Sequence, residues 1–217
     1  MADLSLNPIT IIVLLIALSL APFVILLVSS FVKMVVVMNL VRNALGVQQV
    51  PPNMVLNGLA IMLSIYVMFP VVKEIGILGA NVPLEFDSLE KIKAVANTLQ
   101  APIQRFLSKH TNNKHRSFFL KTARKLWPLQ DAENLQSDDL IVLIPAFTVT
   151  ELTEAFQIGF LLYLPFIAVD LIVSNILLAL GMMMVSPMTI SLPFKLMLFV
   201  IVDGWSRLIH GLVLTYR

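Results

Sequence analysis

Residues 145–199 decide the fold of this chain and read PAFTVTELTEAFQIGFLLYLPFIAVDLIVSNILLALGMMMVSPMTISLPFKLMLF. Two strongly apolar runs flank a short turn, in which Gly181 precedes Met182, Met183 and Met184 and a Ser-Pro pair follows them. Glycine ends helices well and proline stops their continuation, so the pattern predicts helix, turn, helix. Most surface turns are polar. A turn built from long apolar side chains is therefore expected to contact something other than water.

The composition of the whole chain agrees with this apolar character. Of its 217 residues, 58% are hydrophobic and 13% are charged, and the mean hydropathy is +0.90. Soluble domains carry roughly 25% charged residues. The chain is therefore predicted to be an integral membrane protein or the core of an apolar assembly. A net charge of +2 gives no reason to expect a nucleic-acid partner.

No catalytic, cofactor or metal site is predicted. The chain has no cysteine, which excludes disulfides and thiolate chemistry, and its three histidines lack zinc-site spacing. The HExxH, GxSxG and glycine-rich phosphate-loop motifs do not occur. An intramembrane aspartyl protease needs two aspartates, and Asp170 and Asp203 are the candidates. The flanking pattern of such enzymes is missing, however, and Arg207 lies one helical turn after Asp203, at the spacing of an ion pair.

The first region, residues 1–72, is predicted to be an apolar helical hairpin. A secretory signal needs a basic n-region, which the N-terminus lacks, so the first apolar run is expected to belong to the mature protein. A helix from Pro8 to Leu45 would be about 57 Å long. Because the hydrocarbon core is only about 30 Å thick, we expect this helix to be kinked at Pro22, to stand partly outside the lipid, or both. A second run, Asn53–Val72, follows two helix-blocking prolines.

The second region, residues 73–139, holds more than half of the charged residues of the chain. Asp87 and Glu90 have the spacing of a helix capping box, and apolar residues at helical spacing follow them. We predict a mostly helical, water-exposed insertion. The insertion is either a solvated spacer or a docking surface, and its sequence is compatible with both interpretations.

The third region, residues 140–217, is predicted to be a second apolar hairpin with the methionines at its apex. Leu152–Leu180 forms one helical run, and Pro193 is placed as the first residue of a final helix that runs to about Val213. The fold class is therefore all-α and membrane-associated, with two long helical hairpins separated by a polar insertion. By the positive-inside rule, Lys33 and Arg42 predict that the loop of the first hairpin lies inside the cell, with the insertion and both termini outside. The ten Lys and Arg residues of the insertion argue against this orientation, but long loops translocate with little regard to their charge.

Four charged residues lie within or beside the apolar helices: Glu151, Glu154, Asp170 and Lys195. A charge at the bilayer centre costs roughly 2.5–3.5 kcal/mol on insertion scales. Each is therefore expected to find a partner within a hairpin or between subunits, unless the two glutamates lie at a helix end in water. Asp170 also suits a proton-linked membrane transporter or channel subunit, which is the alternative function.

The three consecutive methionines have two interpretations. Methionine often fills gaps in a core. At the apex of a hairpin it forms a soft, deformable contact instead. If several copies surround an axis, their apices form an apolar ring, and apolar constrictions close pores by dewetting.

Two stretches resemble a known family. RNALGVQQVPPNMVLNGLA (residues 42–60) resembles the first signature of the SctR/FliP family. ELTEAFQIGFLLYLPFIAVDL (residues 151–171), followed by GMMMVSPMTISLPFK (residues 181–195), resembles the second. These proteins are core export-apparatus subunits of type III secretion systems and of the bacterial flagellum. The resemblance covers nearly the whole chain except the polar insertion. The short chain and the lack of a signal peptide resemble the virulence-type branch.

The resemblance implies a structural, non-enzymatic subunit of the export gate in the bacterial inner membrane. Several copies, a pentamer in the family, join two smaller membrane subunits around a pore for unfolded secretion substrates. The resemblance also implies that the assembled core is drawn largely out of the bilayer plane, toward the periplasm. The chain is expected to be multi-pass and to contact lipid, with its insertion in the periplasm. The methionine gasket of the family corresponds to Met182, Met183 and Met184. The charges borne on its helices correspond to Glu151, Asp170 and Lys195, as contacts between helices or between subunits.

Overall fold

The computed structural model describes residues 8–47, 49–81 and 89–217, and within these ranges it contains nine α-helices and no strand. The helices are α1 Pro8–Leu27, α2 Phe31–Ala44, α3 Asn53–Asn81, α4 Leu89–His110, α5 Asn113–Leu126, α6 Leu129–Glu133, α7 Leu140–Ala179, α8 Pro187–Ile201 and α9 Gly204–Leu214. The predicted fold class is confirmed: α2 pairs with α3, α7 pairs with α8, and the mostly helical insertion lies between these hairpins.

The prediction of one helix from Pro8 to Leu45 is wrong, because two helices cover this run. Pro22 lies inside α1, and the break comes at residues 28–30, before α2 begins. The Ser29 hydroxyl donates to the carbonyl oxygen of Leu26 at 3.2 Å and accepts the amide of Phe31 at 3.4 Å. Such local side-chain hydrogen bonds compete with the helical ladder. The apolar run is therefore divided where the Ser29 hydroxyl bonds the backbone, and not at Pro22.

The first hairpin turns at Gly46, as its sequence predicts. Gly46 has a φ of 75°, the left-handed conformation that ends many helices and that glycine adopts without strain. The returning helix α3 does not end at Val72 but continues to Asn81, into the charged region. The insertion then contributes α4, α5 and α6. Of the predicted capping pair, Asp87 and the side chain of Glu90 lie outside the described part of the chain.

The second hairpin differs from the prediction at three points. Helix α7 begins at Leu140 rather than near Leu152, and its 40 residues make it about 60 Å long. Pro187, not Pro193, opens α8, because Ser186 takes the N-cap position and a proline fits the first helical position. The final helix is broken at Asp203, whose φ is 52°, and α8 and α9 meet at a bend of 60°.

Helix α2 lies at the centre of the largest core. Its buried residues pack against α3, α7, α8 and α9 in one cluster that includes Met34, Val37, Met38, Val41, Leu56, Ala155, Phe166, Phe199, Leu208 and Leu212. Two helices in the described ranges are long and apolar enough to cross a membrane, Asn53–Ala80 and Leu140–Ala179, and the bent α8–α9 pair is a third candidate. Both helices of the α7–α8 hairpin thus contribute residues to this core, whereas the methionine turn that joins them does not.

Candidate functional site

The methionine turn joins α7 to α8 and is ordered by backbone hydrogen bonds. The Gly181 amide donates to the Leu178 carbonyl at 3.0 Å, and the Met182 amide donates to the Leu177 carbonyl at 2.9 Å. This pair of bonds is the Schellman motif, and it requires the left-handed conformation that Gly181 adopts at a φ of 71°. The chain therefore leaves α7 in a defined direction, and the three methionines follow.

The methionine side chains point away from the core of the chain. Met182 is 43% exposed, Met183 is 82% exposed and Met184 is fully exposed. They do not fill gaps in this chain, which was one of the two interpretations of the sequence. Three adjacent exposed methionines instead form an apolar surface at the tip of a hairpin.

The first charge cluster lies on that hairpin and joins Asp170 of α7 to two residues of α8. Lys195 Nζ lies 2.6 Å from Asp170 Oδ2, and the Ser191 hydroxyl donates to Asp170 Oδ1 at 2.6 Å. Lys195 also donates to the Ala44 carbonyl oxygen at 3.2 Å, at the end of α2. Lys195 and Ser191 are buried, whereas the Asp170 side chain is about one-third exposed. The cluster ties α2, α7 and α8 together.

The second charge cluster joins α2, α7 and the segment after α9. Lys33 Nζ lies 2.9 Å from Glu151 Oε1 and 2.7 Å from Glu154 Oε2, and it sits 4.2 Å from the centre of the Tyr216 ring. The Tyr216 hydroxyl donates to Glu151 Oε2. Lys33 and Glu151 are almost completely buried, while Glu154 remains partly exposed. Lys33 therefore forms ion pairs with two carboxylates and packs against the face of the Tyr216 ring.

His110 borders the second cluster. Its ring centre lies 4.8 Å from that of Phe106 and 5.3 Å from that of Tyr216. Burial lowers the pKa of His110 from 6.5 to about 4, with further lowering by the positive charges of Lys109 and Lys33, while Glu154 acts in the opposite direction. His110 is therefore neutral at physiological pH.

Three members of these clusters were not identified from the sequence: Lys33, Ser191 and Tyr216. Lys33 alone had a visible signal, because it follows a long run without formal charge. Asp203 and Arg207 do not form the predicted ion pair in the described structure. Asp203 caps α9 in a left-handed conformation, and only its carbonyl oxygen accepts the Arg207 amide. No group of His, Cys, Asp and Glu with the arrangement of a metal site occurs within the described ranges.

Comparison with known proteins places the chain in a family. The model of the FliP family matches residues 14–212. "Yop proteins translocation protein R" of Yersinia pestis is 54% identical over 211 residues, covering 97% of each chain. "Hypersensitivity response secretion protein HrcR" of Ralstonia nicotianae is 53% identical over 211 residues, covering 96% of this chain and 97% of that protein. "Virulence protein YscR" of Salmonella typhimurium is 46% identical over 218 residues, covering 97% of each chain. The chain therefore belongs to the FliP family, within its virulence-type branch.

Proposed function

We propose that this chain is a structural, pore-forming subunit of a type III secretion export apparatus, and that its methionine turn closes the pore. Its family and the secretion roles named for its relatives support a part in protein export. The observation that carries the gate role is the exposure of the turn: Met183 and Met184 have almost no contact with the rest of the chain.

Methionine suits a seal that must open for many different substrates. Its unbranched side chain repacks easily, and flexible methionine-rich surfaces adapt to partners of varied shape. Several copies of the chain, a pentamer in this proposal, bring their turns together around an axis. The resulting apolar ring excludes water and ions when idle, and it deforms around an unfolded substrate during export.

The long apolar helices support assembly at the bacterial inner membrane. Many large apolar side chains of α3, α7 and α8 are exposed, which is costly in water. Lipid, other copies and two smaller membrane subunits of the apparatus are the partners that cover them. At about 60 Å, α7 is twice as long as a bilayer core, so part of it stands outside the lipid. We place the insertion, residues 73–139, on the periplasmic side.

The charge clusters favour a structural role for the buried charges over proton transport. Asp170 is engaged by Lys195 and Ser191 at once. A carboxylate that accepts a short hydrogen bond and an ion pair holds helices together, and releasing it would leave the buried Lys195 without its charge partner. Contacts of Glu151, Asp170 and Lys195 with other subunits remain part of the proposal, beside the contacts that they make within the chain.

The mass of the complex from gently solubilised membranes, after co-expression with the two smaller subunits, tests the assembly. A discrete complex with several copies of this chain is expected, and a monomer that binds neither subunit contradicts the proposal. A Met184→Cys variant then tests the ring. The natural chain has no cysteine, so an oxidant should produce disulfide-linked copies only if the turns meet. Met54→Cys, also strongly exposed, measures random collision, and cross-linking at Met184 must exceed it.

A further inference from the structure

Helix α8 is fastened to α7 at two points, one helical turn apart. Ser191 and Lys195 have the i, i+4 spacing that places side chains on one face of a helix. Their polar atoms bind different oxygens of the same carboxylate, Oδ1 and Oδ2 of Asp170, each at 2.6 Å. Two bonds to two oxygens restrain both the sliding of α8 along α7 and its rotation about its own axis.

The two bonds differ in how firmly they define geometry. Lysine is a point charge on a flexible four-carbon stem, so Lys195 can keep its ion pair while α8 shifts. The serine hydroxyl is one bond from the Cβ atom and has no such freedom. Ser191 is completely buried, and its oxygen also lies 3.3 Å from the carbonyl of Met188 in the preceding turn. The hydroxyl is therefore the more exacting of the two restraints.

The restrained end of α8 is the end that carries the methionine turn. Helix α8 begins at Pro187, directly after the turn, and Ser191 lies in its second turn. Lys195 extends the attachment to the last residue of α2 through the Ala44 carbonyl. A rotation or slide of α8 would therefore move Met184 relative to α2 and to the first hairpin.

We propose that Ser191 is a positioning residue for the methionine turn: its hydroxyl fixes the register of α8 on Asp170 and thereby sets where the turn lies relative to the rest of the chain. The importance of this position for sealing rests on the proposed gate function. The position itself can be measured without any assumption about a pore.

Spin labels report that position directly. Because the chain has no cysteine, Met54→Cys and Met184→Cys give two exposed labelling sites, one at the start of α3 and one in the turn. Pulsed electron paramagnetic resonance measures the distance distribution between the two labels in the assembled complex. Labelled chains are diluted with unlabelled ones, so that distances within one chain dominate. In the Ser191→Ala background the distance distribution should broaden and its mean should shift. Ser30→Ala is the matched control, since Ser30 is also completely buried but its hydroxyl has no hydrogen-bond partner.

A second pair of variants separates the hydroxyl from packing. Threonine and valine have the same shape, but only threonine keeps the hydroxyl. Ser191→Thr should therefore give a narrower distribution than Ser191→Val. Wild-type distributions in Ser191→Ala, or equal distributions for threonine and valine, overturn the positioning role. A broadened distribution in Ser191→Ala without any ion leak upholds the positioning role and instead contradicts the gate.

Discussion

Lys33 is held between two carboxylates of α7 and the ring of Tyr216, with almost no exposure to solvent. Removing one partner of a buried ion pair leaves the other charge uncompensated, which typically costs about 3–5 kcal/mol. Lys33→Met should therefore lower the free energy of unfolding of the solubilised protein by about that amount. Chemical denaturation followed by circular dichroism measures the change.

The control for Lys33→Met is the double variant Lys33→Met/Glu151→Leu. Replacing a buried pair with apolar residues is often neutral, so the double variant should recover much of the stability that the single variant loses. A single variant as stable as the wild type would show that the cluster contributes nothing to the fold.

His110 predicts a dependence of stability on pH. Its pKa is about 4 in the folded chain against 6.5 for the free side chain, so between these values the unfolded state binds more protons. Stability should therefore fall as the pH drops from about 6.5 toward 4, and it should be unaffected by this residue at higher pH. Thermal unfolding as a function of pH should show a smaller acid loss in His110→Gln. His210, an exposed histidine in α9, gives the matched control, and an equal change in His210→Gln would contradict the assignment.

Single residues show where sequence reasoning succeeded and where it could not reach. An acidic or basic residue is easily recognised within an apolar run, which is why Glu151, Asp170 and Lys195 could be identified from the sequence. Their partners are separated from them by up to 151 positions, as in the hydrogen bond from Lys195 to the Ala44 carbonyl oxygen. The hydroxyls of Ser191 and Tyr216 are ordinary in the sequence, and only the packing of distant helices gives them their roles.

At the scale of elements, α8 and α9 pack closely where they meet at Gly204, the first residue of α9. A Cβ atom there would lie 2.3 Å from the Phe199 ring, so the ring would have to move. Gly204→Ala should therefore destabilise the chain by about 1–3 kcal/mol, the usual cost of overpacking. Gly211→Ala in the same helix meets nothing within 4 Å and should be neutral or slightly stabilising. Equal stability of the two variants would contradict the tight packing of Phe199 against Gly204.

The elements themselves were predicted better than their ends. Apolar runs of helical length predicted both hairpins and the turn at Gly46. The break between α1 and α2 was missed because Ser29, whose hydroxyl bonds the backbone there, does not interrupt the apolar pattern. The bend at Asp203 was missed because the left-handed conformation of a residue other than glycine leaves no mark in that pattern. Two prolines were given too much weight. Pro22 was expected to kink a helix and Pro193 to begin one, but both lie inside helices.

At the scale of the whole molecule, the long helices α3, α7 and α8 expose many large apolar side chains. Leu161 on α7 is 65% exposed and belongs to a helix long and apolar enough to cross a membrane. A charge in such a setting costs roughly 2.5–3.5 kcal/mol. Leu161→Asp should therefore reduce the amount of assembled complex on a native gel.

Phe118→Asp is the matched control for Leu161→Asp. Phe118 is 59% exposed, but it lies on α5 in the charged insertion, where an added carboxylate remains in water. This variant should assemble like the wild type. If both variants assemble normally, the exposed face of α7 contacts neither lipid nor another subunit.

The most direct measurement is the ion conductance of assembled complexes in which Met182, Met183 and Met184 are replaced by alanine. Truncation removes the long apolar side chains but keeps the backbone turn, since Gly181 and its hydrogen bonds are untouched. We predict complexes of normal mass whose resting conductance to small ions is clearly above that of the wild type, because the ring no longer excludes water. Wild-type conductance in a fully assembled variant would contradict the claim that these methionines close the pore.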